Sequence, residues 1–192
     1  MRAFAAALLT MSLLATGCSA DPEPGASDDS PSVSPSPSVT PAPEASPTRA
    51  AVQDPAVPNP PRGRNDRRGR EAFAEYVLQA WIYALNTNDP QPLVDVSGAE
   101  PCGGCRQLQS ELEDRAEEGW YVALEGVRVA STRVPTSGRT SRVLMSVNLP
   151  ESDTFYDDGR FRSTNPAHPR STFEVEMTYT GKRFRLDAFS LY

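Results

Sequence analysis

A run of prolines constrains this chain more than any other feature. Of its 19 prolines, 12 lie between Pro22 and Pro61. From Ser19 to about Arg62 the sequence is also rich in Ser, Ala and acidic residues, and it has no apolar period that could build a core. Proline-rich chain is semi-rigid, so roughly 45 such residues reach on the order of 100 Å as polyproline II. The sequence therefore predicts a disordered linker and a folded part, from about Arg67, that is long enough for one modest core.

The first residues predict export. Arg2 is a short basic start, and residues 3–15 are almost wholly small or apolar. A permanent membrane helix needs about 20 apolar residues, so this shorter run is typical of a secretory signal peptide. It ends in Leu14-Ala15-Thr16-Gly17-Cys18, which resembles the lipobox of bacterial lipoproteins. The commonest lipobox has leucine where this chain has Ala15.

The lipobox resemblance implies a cleaved signal peptide, residues 1–17, and a diacylglyceryl group on the Cys18 thiol. Two acyl chains anchor a protein stably, so we expect an extracytoplasmic protein held on the outer face of the cell membrane, with the lipid bilayer as a partner. The alternative is an ordinary secretory signal followed by a coincidental cysteine. The formal net charge of −6 argues against nucleic acid as a partner and against electrostatic attraction to an anionic membrane.

One basic run lies at the junction between the predicted linker, residues 18–62, and the predicted domain, residues 63–192. It comprises Arg62, Arg64, Arg67, Arg68 and Arg70. We interpret it as the solvated start of a helix. The alternative is a contact with an anion or a wall polymer.

The domain begins with a strongly amphipathic helix. Apolar residues recur at helical spacing from Phe73 to Leu85 and form one continuous face. Asn65 or Asp66 is placed to cap its start, and the Asn-rich stretch before Pro90 ends it.

Two shorter helical segments follow, and then the period changes. A turn is predicted from Pro92 to Val96, and a helix from about Cys105 to Glu118 with Gly119 as its C-cap. After Gly119 the apolar period falls from 3.6 to 2, which predicts strands. The first covers residues 120–129, with a β-bulge at Glu125-Gly126 where the alternation changes parity. The others cover residues 143–149, 173–179 and 184–188, and the polar, turn-rich residues 151–170 are predicted to be a loop.

The last two strands predict a hairpin with a definite register. A two-residue turn at Thr180-Gly181 places Met177 opposite Phe184 and Val175 opposite Leu186. The same register places Glu176 opposite Arg185, which pairs an acid with a base.

Helices followed by antiparallel strands predict an α+β domain, in which a curved antiparallel sheet of about four strands wraps the first helix. The apolar face from Phe73 to Leu85, then Pro92-Leu93, Cys102-Gly103-Gly104-Cys105, a helix and Gly119 resemble a family of actinobacterial lipoproteins of unknown function. Members share a lipobox, a Pro/Ser/Thr stalk and a small C-terminal domain with a Cys-x-x-Cys. This resemblance covers about residues 70–190 and implies no activity. The element order is also similar to the cone-shaped fold of the nuclear-transport-factor and ketosteroid-isomerase superfamily, a likeness of topology only.

Cys102 and Cys105 are the sharpest candidates for chemistry. In an oxidising compartment, with Cys18 lipidated, these two thiols remain to pair as a disulfide. A redox-active dithiol is the alternative, because a cysteine at a helix N-terminus has a lowered pKa. Against it, the strand that precedes a thioredoxin-like motif is missing here. Metal binding is disfavoured because zinc takes four ligands and the chain has one histidine.

Four residues are candidates for lining a ligand cavity between helix and sheet: Tyr76, Trp81, Met145 and Met177. At this spacing such residues are more commonly plain core, and both interpretations stay open. His168, the only histidine, is predicted to be a surface residue without a catalytic partner. Asp157-Asp158 before Gly159 indicates a turn, because the pattern of a calcium loop is absent.

The sequence contains neither a Gly-rich phosphate loop nor a nucleophile elbow, so it predicts no cofactor and no assembled catalytic machinery. Our leading hypothesis is a non-catalytic binding domain on a stalk, whose partner is a cell-envelope protein or a small apolar ligand. The alternatives are a cone-fold enzyme acting on a small apolar ligand, and an envelope thiol oxidoreductase that uses Cys102 and Cys105.

Overall fold

The computed structural model describes residues 55–98, 102–135 and 141–192. The predicted signal peptide, Cys18 and the linker up to residue 54 lie outside the described residues. Three helices come first in the described chain: α1 (Arg67–Thr87), α2 (Gln91–Val94) and α3 (Gly103–Glu118). Seven strands follow: β1 (Trp120–Ala123), β2 (Arg128–Arg133), β3 (Ser141–Leu149), β4 (Ser152–Tyr156), β5 (Phe161–Asn165), β6 (His168–Tyr179) and β7 (Phe184–Leu191).

Helix α1 lies where the apolar period and the capping residues of the sequence predict a helix. The Asp66 carboxylate accepts a 2.7 Å hydrogen bond from Gly69 N–H, which satisfies one of the free donors of the first turn and lowers the pKa of Asp66. The helix ends at Asn88, in the left-handed conformation with φ 56°. Its buried face comprises Phe73, Ala74, Tyr76, Val77, Leu78, Ala80, Trp81, Ala84 and Leu85. The predicted amphipathic helix and its Asp66 cap are confirmed.

Helix α3 ends as predicted at Gly119, which has φ 68° and donates its N–H to Ala116 O. Its inward face consists of Cys105, Leu108 and Leu112, and its other face is largely charged. Among the described residues, no helix is long and apolar enough to cross a membrane.

The larger sheet is antiparallel, with the strand order β2-β3-β6-β7. Its inward side is apolar: Val143 lies opposite Val175, and Met145 opposite Phe173. These side chains are fully buried and pack with α1 in one core. The α+β class and the helix-on-sheet arrangement are therefore confirmed.

The predicted register of the last hairpin is wrong by two residues. Met177 lies opposite Leu186, and Tyr179 opposite Phe184. The connection is therefore the four-residue loop Thr180–Arg183, which Thr180 N–H closes through a 2.9 Å bond to Arg183 O. A slip of two residues keeps every side chain on its own face of the sheet, so the apolar alternation is satisfied by either register.

The predicted pairing of Glu176 with Arg185 fails for the same reason. A β-bulge before Met177 adds a further shift, so that Glu176 lies opposite Ala188. The Glu176 carboxylate instead lies 2.7 Å from the guanidinium of Arg142, which also reaches Glu174 at 2.8 Å. Both glutamates lie on the side of β6 that faces away from the core.

Residues 151–170 are not a loop, contrary to the prediction. They form β4, β5 and the start of β6, and a second antiparallel sheet has the order β1-β4-β5. Inward positions on β4 are filled by hydroxyl side chains, and buried Thr154 bonds Ser163 O at 2.9 Å. Because these positions are polar, the strands carry no apolar alternation for the sequence to reveal. Pro150 and Pro166 lie in the two-residue bends that join β3 to β4 and β5 to β6.

The predicted β-bulge at Glu125-Gly126 is also wrong, because the chain there passes from one sheet to the other. Strand β1 pairs with β4, whereas β2 pairs with β3. Gly126, at φ 73°, lies in the crossing segment. The crossing is fastened by Asn86 at the end of α1, which accepts from Leu124 N–H at 2.8 Å and donates to Leu124 O at 3.1 Å.

Candidate functional site: a groove beside the first helix

Residues 55–66, which we call the strap, run along the domain before α1 begins. Pro58, Pro60 and Pro61 fix its backbone in an extended form, because proline restricts both its own φ and the conformation of the preceding residue. Gly63 lies directly on the β6–β7 loop. A Cβ atom added there would be 2.7 Å from Arg183 Cα and closer still to Lys182 O. The end of the proline-rich segment therefore packs against the folded domain.

The strap forms one wall of a groove of about 460 Å³. The other walls come from the start of α1, the segment after α2, and the beginning of β7. The lining residues are Pro60, Pro61, Phe73, Asp95, Val96, Arg183 and Phe184. Four separate segments of the chain thus meet at this one place.

The floor of the groove is aromatic. The ring centroids of Phe73 and Phe184, the two aromatic residues that line it, are 5.5 Å apart. Tyr179 does not line the groove, but its ring packs edge-on against Phe184 at 5.2 Å. Phe73 is only 2% exposed and Phe184 only 3%. Both rings are therefore held in place by the core, and each contributes a small apolar area to the groove.

The rim of the groove carries two opposite charges. The Asp95 carboxylate is exposed and accepts a 2.6 Å hydrogen bond from the Gln91 side chain, one helical turn earlier. The Arg183 side chain is exposed on the other side. Between them, Val96 O accepts a 2.8 Å bond from Leu186 N–H, which fastens the segment after α2 to β7. The groove therefore has fixed walls and a polar rim.

The four residues predicted as candidates for cavity lining lie together in the core. The Tyr76 hydroxyl donates a 2.6 Å bond to Pro92 O, and burial raises the pKa of Tyr76 to about 12. The Trp81 ring packs 5.7 Å from that of Phe173, and the side chains of Met145 and Met177 are fully buried. None of the four lines the groove.

The cysteines form the predicted disulfide, Cys102–Cys105. Both residues are only 4% exposed, and Cys105 Sγ lies 3.4 Å from Ser97 Oγ. Gly104 brings the α3 backbone so close to β7 that an added Cβ would be 2.5 Å from Phe189 O. The disulfide therefore closes the first turn of α3, which lies beside β7 and beside the segment that forms a wall of the groove.

The remaining candidates lie apart from the groove. His168 is exposed at the start of β6. Asp157 and Asp158 lie in the predicted turn, where Asp157 N–H bonds Gly119 O at 2.9 Å and Asp158 pairs with Arg160 at 2.7 Å. Among the described residues there is no group of three His, Cys, Asp or Glu side chains that could hold a metal ion.

The sequence predicted Phe73 on the apolar face of a helix and Phe184 on a strand of the hairpin, and it placed Pro60 and Pro61 in the disordered linker. It gave no role to Asp95 or Arg183. The one local signal was the Pro60-Pro61 pair, two residues before a glycine at the edge of the linker. The groove itself appears only when the fold brings the four segments together.

Comparison with known proteins places the chain in a family but gives it no activity. Among solved structures, it is similar to the intermembrane space region of the chloroplast protein ARC6, with a TM-score of 0.41 and 18% identity over 67% of this chain and 97% of that chain. It is also similar to a protein of Catenulispora acidiphila, with a TM-score of 0.32 and 12% identity over 65% of this chain and 86% of that chain. Likenesses this distant assign no function. No curated protein matches the sequence. Residues 41–188 match the model of the family of unknown function DUF6318, and the chain belongs to that family.

Proposed function

We propose that this protein is an extracytoplasmic lipoprotein, anchored to the outer face of the cell membrane through lipid on Cys18, whose C-terminal domain binds a ligand in the groove without converting it. The groove is the observation that supports the binding role. The lipobox resemblance and the proline-rich linker support the anchored location. Two finer resemblances, to actinobacterial lipoproteins and to the cone superfamily, rest on the sequence alone.

The size and surface of the groove suit a ligand. Its volume of about 460 Å³ lies within the range of small-molecule sites, roughly 300–1,000 Å³. An apolar floor provides binding free energy through the burial of ligand surface, and a few polar groups at the rim fix the orientation of the ligand. The partner is then a small apolar molecule or an apolar segment of a cell-envelope protein.

The composition of the groove favours binding over catalysis. Among the described residues that line it, Asp95 is the one carboxylate, and there is no histidine, cysteine or hydroxyl group. General acid–base catalysis needs a proton donor or acceptor with a positioned partner, and Asp95 hydrogen-bonds only an amide side chain here.

A cone-fold enzyme is the second candidate function, and Asp95 is the observation that favours it. This carboxylate lines the groove, so it is the acid that such an enzyme would use. The thiol oxidoreductase alternative has less support, because exchange requires an accessible sulfur and both cysteines are buried.

The anchored location is tested by changing Cys18 in the full chain. A Cys18→Ala variant should accumulate as uncleaved precursor or appear in the medium, and it should not incorporate radiolabelled fatty acid. The matched control is the Cys102→Ser, Cys105→Ser double variant, which loses the other two thiols and should be labelled and retained like the wild type. Normal processing and membrane retention of Cys18→Ala would overturn the lipoprotein assignment.

The binding role is tested with the full chain in detergent micelles against a panel of small apolar ligands and proline-containing peptides. Calorimetry should detect saturable binding, and the recovered ligand should be unchanged by mass spectrometry. Turnover of any ligand that is abolished by Asp95→Asn, but not by Glu75→Gln on the exposed side of α1, would replace the binding proposal with the enzyme.

A further inference from the structure

The groove already holds a proline segment along one wall. Pro60 and Pro61 lie beside Phe73 and Phe184, and both belong to the strap. Asn59 and Pro60 each precede a proline, which forces their backbone toward the polyproline II conformation. The domain thus already packs a proline-containing segment of its own chain beside the two aromatic residues that line the groove.

We propose that the ligand of the groove is an extended, proline-containing peptide segment of another envelope protein, lying beside Pro60 and Pro61 on the same aromatic floor. This inference rests on the proposed binding function and names the chemical class of its ligand. The occupant is a segment with proline at its centre, a basic residue toward Asp95 and an acidic residue toward Arg183.

The aromatic floor is the first argument for this class. Grooves lined by aromatic rings are a recurring surface for polyproline II ligands, because flat proline rings pack on aromatic faces. A proline-rich ligand is extended before it binds, so little conformational entropy is lost when it docks. Phe73 and Phe184, whose ring centroids are 5.5 Å apart, are the two aromatic residues that line the groove, and Pro60 and Pro61 line it with them.

The charges at the rim are the second argument. Asp95 and Arg183 are both exposed, carry opposite signs and line the same groove. A neutral apolar molecule would use neither of them. A peptide with one basic and one acidic side chain uses both, and it gains orientation as well as affinity, since rim charges mainly set register and association rate.

The fixed walls are the third argument. On one side, Gly63 seats the strap on the backbone of Lys182 and Arg183. On the other, the bond between Val96 O and Leu186 N–H holds the segment after α2. A preformed groove spares the cost of ordering its own side chains when a ligand arrives.

The test uses acetylated, amidated heptapeptides and the full chain in detergent micelles. The probes are Arg-Pro-Ala-Pro-Ala-Pro-Glu and the reversed sequence, together with versions in which alanine replaces every proline. We expect one proline peptide to bind and its alanine version to bind about tenfold more weakly, because the alanine chain must be ordered on binding. Arg183→Ala should lower the affinity for the proline peptide about two- to fivefold, which is the range expected for loss of an exposed ion pair. The control is Arg185→Ala, at an exposed arginine on β7 that does not line the groove, and it should change nothing.

The outcomes separate this inference from the proposed function. If the small apolar ligands bind and no proline peptide does, the peptide class is wrong and the binding domain stands. If neither class binds, both proposals fail. Equal affinity for proline and alanine peptides, or equal effects of Arg183→Ala and Arg185→Ala, would also overturn the inference.

Discussion

The most direct test of the groove is to replace Gly63 with alanine. The added Cβ would lie 2.7 Å from Arg183 Cα and closer still to Lys182 O, whereas ordinary contacts begin at 3.4 Å, so the backbone must separate by at least about 0.7 Å. The neighbouring atoms are main chain and cannot rotate away. Overpacking of this kind costs about 1–3 kcal/mol when the segment stays in place. The strap is joined to the fold only through α1, so it relieves the clash by lifting off the β6–β7 loop.

Limited proteolysis measures this release. Trypsin cleaves after Arg62 and Arg64, the two residues that flank Gly63, and the strap must leave the loop before the protease can hold it. A cost of 1–3 kcal/mol raises the undocked population by roughly 5- to 150-fold, so cleavage at these two sites should accelerate by at least about fivefold. The melting temperature should fall by no more than about 4 °C for each kcal/mol, because the core itself is unchanged.

Gly103→Ala is the matched control. Gly103 is the first residue of α3, and a Cβ added there meets nothing within 4 Å. Alanine is also the better helix former, so this variant should be as stable as the wild type or slightly more stable. The reasoning would be refuted if Gly63→Ala were cleaved at the wild-type rate, or if Gly103→Ala were cleaved as fast as Gly63→Ala.

Three further predictions concern the fold around the groove. Asn86→Ala should lower the free energy of unfolding by about 2–3 kcal/mol in urea denaturation, because it leaves both polar groups of Leu124 unpaired, whereas Asn65→Ala on the exposed strap should have little effect. The Cys102→Ala, Cys105→Ala double variant should fold, with a free energy of unfolding about 2 kcal/mol lower than that of the wild type. The wild type should react with a thiol reagent only after reduction in denaturant, and free thiols in freshly isolated protein would contradict this. Since the pKa of Tyr76 is raised to about 12, its contribution to stability is complete below pH 10 and is lost as the pH rises toward 12; melting curves of Tyr76→Phe should lack that part of the alkaline decline.

The parts of the fold that could be predicted are those in which burial and secondary structure share one period. Helix α1 has a 3.6-residue apolar stripe and an aspartate at its cap, and α3 has a glycine at its end, so each local signal agrees with the fold. Strands β3 and β6 alternate apolar and polar residues because one side faces the core and the other faces water.

Strands β4 and β5 of the second sheet could not be predicted because the inward positions of β4 are polar. Ser152 and Thr154 are buried on β4, and Thr154 is satisfied by the backbone of Ser163 and by its hydroxyl at 2.7 Å. A buried hydroxyl group with a hydrogen-bond partner is stable. In the sequence, however, a buried Ser or Thr looks the same as a Ser or Thr in an exposed turn. Pro150 does not distinguish the two cases, because a proline at a bend between two strands looks the same in sequence as a proline at the end of a strand.

The hairpin register and the groove were hidden for different reasons. Alternation fixes which face Met177 occupies, but a shift of two residues leaves that face unchanged, and only the loop Thr180–Arg183 decides between the two registers. The groove joins side chains that are far apart in the chain, and each of them has an ordinary local explanation. Phe73 and Phe184 are core residues, and the sequence shows them as such. They also line the groove, but that second role depends on the position of the strap.

The strap also joins the two predictions that matter most for function, because Pro60 and Pro61 would contact both the domain and a bound peptide. Two equilibria that share these contacts are linked, and linkage is reciprocal. If undocking of the strap lowers the affinity for the peptide by a given factor, a saturating concentration of peptide must reduce the undocked population by that same factor. Saturation with the tighter proline peptide should therefore slow tryptic cleavage after Arg62 and Arg64, and the ratio of rates should equal the ratio of the peptide dissociation constants of the undocked and docked forms. A peptide that binds with full affinity to Gly63→Ala and leaves cleavage unchanged would show that the strap is a spacer beside the groove and forms no part of the site.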